Sequence, residues 1–217
     1  MPCGFFVILS LFFTHKSDKI ISTNRNKRGE TEMKKQIVMI VGSLRKQSFN
    51  LQLAQKAAEL MAEKAQVTFL EYADLPFMNQ DIEFPTPEPV TRVRNIILSA
   101  DGIWIMTPEY NSSYPGVLKN LLDWLSRPLV NGDLSKGTAL SGKKVTVSGA
   151  GGRSAAAGAR QKLGELLTAM RMKPFLEAET GISLNGEAYR SNVLTLSEEE
   201  SETLRTQAEA FLSFLEE

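Results

Sequence analysis

The residues best equipped for chemistry lie between Gly42 and Asn50, in the string GSLRKQSFN. Ser43 and Ser48 bring hydroxyls, Asn50 an amide, and Arg45 a guanidinium suited to charge-assisted hydrogen bonds. An apolar run, Ile37-Val38-Met39-Ile40-Val41, precedes them, and a helical pattern from Leu51 to Leu60 follows. A strand, a short hydroxyl-rich loop and a helix together make a phosphate cradle, because the first helical turn carries unpaired N–H groups and partial positive charge. The competing reading is a plain strand-to-helix turn with Ser48 as its cap. The loop lacks both G-x-x-x-x-G-K-[ST] and G-x-G-x-x-G, which argues against a nucleotide triphosphatase and an ordinary dinucleotide fingerprint.

Two later segments repeat the arrangement. Ala100 to Met106 has the apolar composition of a strand buried on both faces, and Thr107-Pro108-Glu109-Tyr110-Asn111 follows it directly. A helix is expected over Val117 to Leu125. The third unit is a strand at Lys143 to Ser148, a turn holding Gly149, Gly151 and Gly152, and a helix from about Ala155 to Met170. Glycines there permit backbone dihedrals that other residues resist and close approach by a ligand; the alternative is a tight turn that only packs Ala155 to Ala159 closely on the sheet.

What the sequence lacks narrows the chemistry further. Its single cysteine and single histidine are Cys3 and His15, so residues 16–217 hold no thiol nucleophile, no Ser-His-Asp triad and no Cys/His zinc site. A reaction run by this chain must use carboxylates, tyrosines, lysines, backbone amides or a cofactor. Lys+Arg and Asp+Glu are both 25, so no charge excess points to nucleic acid or to an anionic membrane. No stretch approaches the roughly 18 apolar residues of a spanning helix.

Alternation of strands and helices organises the rest. A helix is expected from Ser48 to Ala65, a strand at Gln66–Glu71, a proline-rich loop from Tyr72 to Pro89 and a helix at Val90–Ser99. Arg127 to Gly142 reads as a connection without periodicity. A fifth strand is expected at Lys173–Ala178, and Ser197 followed by three glutamates opens a last helix. Short βα loops imply a parallel sheet with helices on both faces. Residues 1–32 read as an extension outside the fold, expected to lack ordered structure, and 33–217 as one domain. The run Phe5–Phe13 has the length of a signal-peptide core. No lysine or arginine precedes it and no small-x-small site follows, so an upstream translation artefact is favoured over an export signal.

The pattern G-S-x-R-x-x-S-x-N, the string TPEYNSSYPGVLKNLLDWLSR and the glycine-rich third turn together resemble the NADPH-dependent FMN reductase family, over residues 35 to 215. ADLPFMNQDIE resembles the family's passage after the second strand. The resemblance implies a flavodoxin-like three-layer α/β sandwich, whose five-stranded parallel sheet has the order 2-1-3-4-5. It implies bound FMN, with Ser43, Arg45, Ser48 and Asn50 at the ribityl phosphate and Phe49 at the same turn. Pro108, Glu109, Tyr110 and Asn111 would line the isoalloxazine, and Ser148, Gly149, Gly151 and Gly152 its pyrimidine side.

By the same resemblance, NADPH or NADH would deliver hydride to flavin N5 in a ping-pong scheme. A quinone, azo compound, free flavin or metal oxyanion such as chromate would then take the electrons, with no catalytic side-chain acid or base and no metal. Arg45, Arg127 and Arg153 all stay open as contacts to a 2′-phosphate. Leu118, Leu121, Leu122 and Leu125 follow helical spacing, which fits burial on the sheet. The family resemblance adds a dimer interface nearby, hence a homodimer or homotetramer, and a cytoplasmic setting. An electron carrier of flavodoxin type is the rival, though the chain lacks that type's Thr/Ser-Gly-Thr loop and acidic surface. An FMN-binding regulatory module without turnover is the other.

Overall fold

The computed structural model describes residues 34–217, so the expectation for residues 1–32 lies outside the described residues. Three parallel strands form the centre: β1 (Lys35–Val41), β3 (Gly102–Met106) and β6 (Lys144–Gly151). With β2 (Ala65–Phe69) and β7 (Lys173–Phe175) the order is β2-β1-β3-β6-β7. That is the expected 2-1-3-4-5 path once the separate antiparallel hairpin β4 (Pro128–Val130) and β5 (Asp133–Thr138) is set aside. The hairpin lies within Arg127 to Gly142, the stretch read as a connection without periodicity. Its strands are short and mostly solvated, so they carry little apolar alternation for a sequence pattern to detect.

Side-chain alternation along the strands separates two cores. Val38, Ile40, Ile103, Ile105, Val145 and Val147 pack on one face with α2 (Glu88–Ser99), α3 (Gly116–Leu125) and α4 (Ala157–Ala169). Ile37, Met39, Trp104 and Met106 pack on the other with α1 (Phe49–Met61) and α6 (Glu198–Glu216). Burial on both faces is why these strands read as continuous apolar runs. Ser197 starts α6 with a full capping box, its Oγ accepting from Glu200 N while the Glu200 carboxylate accepts from Ser197 N.

The fifth strand departs from expectation. It spans only β7 beside Lys144–Thr146, then leaves the sheet and returns as β8 (Gly181–Ser183), parallel to Gly149–Gly151. Gln207 of α6 fills the gap. Its Nε2 donates to Thr146 Oγ1 and Val147 O, and its Oε1 accepts from Ser148 Oγ and Thr180 N, all at 2.8–2.9 Å. A fully satisfied buried amide replaces the missing ladder bonds there. A further short helix, α5 (Gly186–Ser191), follows β8.

Candidate functional site

Register brings three loops to one place. Val41 lies beside Met106, and Met106 beside Ser148, so the chain leaves β1, β3 and β6 at neighbouring points on the carboxyl edge of the sheet. The strand order reverses between β1 and β3, where open parallel sheets hold their ligands. Packing fixes the first two loops against each other: a Cβ on Gly42 would stand 3.2 Å from Pro108 Cδ.

In the first loop, Ser48 caps α1. Its Oγ accepts from Asn50 N and Leu51 N at 3.2 and 3.4 Å, while its own O–H has no acceptor among the described residues. Asn50 is buried and turned away from the loop opening, its amide joined at both ends to the main chain of Ala150. Ser43, Leu44, Lys46, Gln47 and Phe49 have backbone N–H groups with no acceptor among the described residues. Arg45 belongs to the same loop, its guanidinium 5.0 Å from the centroid of the Phe49 ring.

The second loop is a tight reversal. Tyr110 and Ser113 exchange both N–H···O bonds, with Asn111 and Ser112 at φ 52° and 58° between them, a type I′ geometry. Asparagine tolerates that region best among residues with a side chain. Tyr110 and Asn111 are exposed at the tip, and Pro108 is buried behind it. Glu109 turns inward to the third loop. Its Oε1 accepts from Ser154 Oγ at 2.9 Å and its Oε2 from Ala159 N at 3.0 Å, so it supplies the cap that Ala156, the residue before α4, lacks. The Ala159 amide, helped by the Ser154 hydroxyl, holds the Glu109 carboxyl below the usual carboxylate range against a smaller opposing effect of burial.

The third loop corrects two expectations. Strand β6 continues through Gly149 and Gly151, so the turn itself is Gly152 to Ala156. The glycines are also not needed for left-handed dihedrals; those fall on Ala155 and Ala156, at φ 50° and 58°. Close approach by the protein's own atoms is the reason at Gly149 and Gly151. A Cβ on Gly149 would sit 2.5 Å from Thr107 O and 2.8 Å from Ala156 Cβ, and one on Gly151 would sit 2.9 Å from Ala156 N. Gly152 faces open space, with only the Tyr189 hydroxyl at 4.0 Å. Ser148 does not reach the loops by its side chain: it is buried, accepting from Trp104 Nε1 and donating to Gln207.

Of the three arginines, Arg127 is held in a two-pronged pair with buried Glu83, at 3.0 and 2.9 Å. Arg45 and Arg153 remain exposed. Leu118, Leu121, Leu122 and Leu125 are all buried against the sheet, as their spacing indicated. Sequence reasoning missed α5, which lays Tyr189 edge-on to Phe49 at 5.8 Å and brings Asn192 to Arg45. The string Asn185-Gly186-Glu187 carried a cap signal, since Asn185 Oδ1 does accept from Ala188 N.

Residues 35–185 match the family model described as NADPH-dependent FMN reductase. An NAD(P)H-dependent FMN reductase of Pseudomonas aeruginosa is 32% identical over 176 residues, covering 80% of this chain and 91% of that protein. A 2-hydroxy-1,4-benzoquinone reductase of a Burkholderia species is 48% identical over 92 residues, covering 42% of this chain and 50% of that protein. The chain thus spans about half the length of the quinone reductases it matches first. Among solved structures, a flavoenzyme NAD(P)H:(acceptor) oxidoreductase from Paracoccus denitrificans superposes with a TM-score of 0.74 at 32% identity. That match covers 84% of this chain and 97% of the other.

Proposed function

The chain belongs to the NADPH-dependent FMN reductase family, and we propose on that basis that it is an FMN-dependent NAD(P)H oxidoreductase acting on quinones and related acceptors. The observation that carries this reading is the set of backbone N–H groups without an acceptor among the described residues, at Ser43, Leu44, Lys46, Gln47 and Phe49, beside the switch point of the sheet. Unpaired N–H groups at a helix start, with a guanidinium beside them, suit a phosphate dianion.

The residues present fit the cofactor. The backbone N–H groups of Ser43, Leu44, Lys46, Gln47 and Phe49, with Arg45 and the Ser43 and Ser48 hydroxyls, would hold the phosphate. Main-chain groups of Pro108 to Asn111 and of Gly152 to Ser154 would border the ring. When bound, FMN supplies the hydride chemistry that a domain without cysteine or histidine lacks.

The protein's part is to orient and to keep the loops rigid. Asn50 and Glu109 lock the three loops together, so ligand donors need little reorganisation on binding. Overall, NAD(P)H loses a hydride and a 1,4-benzoquinone gains two electrons and two protons, one of them from solvent. Reductant and acceptor use one opening in turn, which makes the scheme ping-pong. Steady-state rates over a grid of NADPH and 1,4-benzoquinone concentrations test it. Parallel double-reciprocal lines are expected; intersecting lines mean both substrates bind together and contradict the scheme.

A further inference from the structure

We propose that Asn192 is a positioning residue for Arg45, and that through it the site favours a phosphorylated flavin over the same flavin without phosphate. The assignment rests on the flavin-binding function proposed above. Asn192 ends α5 in the left-handed region, at φ 56° and ψ 25°, where asparagine is the usual alternative to glycine. Its N–H donates to Ala188 O at 2.8 Å. One side chain of α1 then holds the segment at two points: Gln52 Nε2 donates to Asn192 O at 2.9 Å, and Gln52 Oε1 accepts from Leu194 N at 2.8 Å. Gln52 is the fourth residue of the helix that opens at the phosphate loop, so α5 and that loop are held in one frame.

With its backbone fixed, Asn192 presents Oδ1 to the Arg45 guanidinium at 2.9 Å, across 147 residues of sequence. The guanidinium also lies over the Phe49 ring, which meets Tyr189 of α5 in a T-shaped contact. An exposed arginine would otherwise sample many rotamers, and ordering it in advance removes that loss from ligand binding. The chemistry of the partner matters as well. A neutral amide orients the cation yet leaves its full charge for an incoming dianion, whereas a carboxylate at the same point would neutralise it. Among the described residues, the Arg45 Nε and second terminal nitrogen have no acceptor.

The test is a titration of FMN and of riboflavin into the wild-type chain, Asn192→Gly, Arg45→Ala and the double variant. Glycine keeps the left-handed backbone while removing the amide. Asn192→Gly should weaken FMN about five- to tenfold and leave riboflavin unchanged, and should add no further loss on top of Arg45→Ala. Equal loss for both ligands, an unchanged or tighter FMN affinity, or additive losses in the double variant overturn the assignment. Should Asn192→Gly fail to fold by circular dichroism, Asn192→Asp serves instead. It keeps a residue suited to the backbone and should weaken FMN by neutralising Arg45; an unchanged affinity there contradicts the proposal. A wild-type chain that takes up no FMN overturns the proposed function itself, and this assignment with it, before any variant is compared.

Discussion

Asn50 and Ala150 lie 100 residues apart yet are joined as two strands are joined: Asn50 Nδ2 donates to Ala150 O at 2.9 Å, and Ala150 N donates to Asn50 Oδ1 at 2.8 Å. The side-chain amide thereby ties the first turn of α1 to the end of β6, and with it the first loop to the third. Both residues are buried, so each lost bond exposes no compensating water.

Asn50→Ala should therefore cost about 2–4 kcal/mol of stability, read from urea unfolding, since it leaves a buried N–H and C=O unpaired. It should also weaken flavin binding, although Asn50 itself does not face the loop opening. A loss below about 0.5 kcal/mol would mean the clamp is not a structural one.

The glycines of β6 and of the turn after it should not behave alike. Gly149→Ala places a methyl 2.5 Å from Thr107 O and should either lower the melting temperature sharply or prevent folding. Gly152→Ala, at a position with open space and no positive φ, should stay within about 0.5 kcal/mol of wild type. Thermal melts of the pair decide it; equal effects would contradict the close-approach account.

Glu109 links pH to the joint between the second and third loops. Its carboxyl is held below the usual carboxylate range in the folded chain, so the stability it contributes is complete above the ordinary carboxylate pKa of about 4.3. That contribution is lost as pH falls through the depressed folded value. Glu109→Gln should remove this part of the acid sensitivity and destabilise the chain modestly at neutral pH, because a neutral amide caps α4 less well. Unfolding measured from neutral to acid pH should show the two proteins converging at the acid end; a constant gap would contradict the assignment.

Arg45→Ala should weaken FMN about tenfold to a hundredfold, the range for losing one charge-assisted contact to a phosphate. Equilibrium titration checks it, and an unchanged affinity would remove Arg45 from the phosphate end.

Most of the sheet was legible because its central strands are buried on both faces. Ile103 to Met106 has no solvated side to interrupt its apolar run. The three loops were legible because strand-to-helix turns concentrate Ser, Asn, Pro and Gly. Side-chain roles were less so. Ser48 was read both as a ligand group and as a cap, and it does cap α1; Asn50, read as a ligand group, bonds a distant backbone that no local spacing reveals. Gly149 and Gly151 serve Ala156 and Thr107, neighbours set by tertiary packing. The split of the fifth strand depends on Gln207 reaching in from α6, a contact no local window contains. Asn192 went unnoticed for the same reason, lying 147 residues from Arg45.

The central claim is that these three loops hold a flavin that a nicotinamide can reduce. Its most direct test is the visible absorption spectrum of the chain reconstituted with FMN, freed of unbound flavin, and recorded before and after anaerobic NADPH. Flavin bands that stay with the protein and bleach on addition of NADPH are the expected result. Bands lost on removing free flavin, or bands that remain oxidised in NADPH, would contradict it.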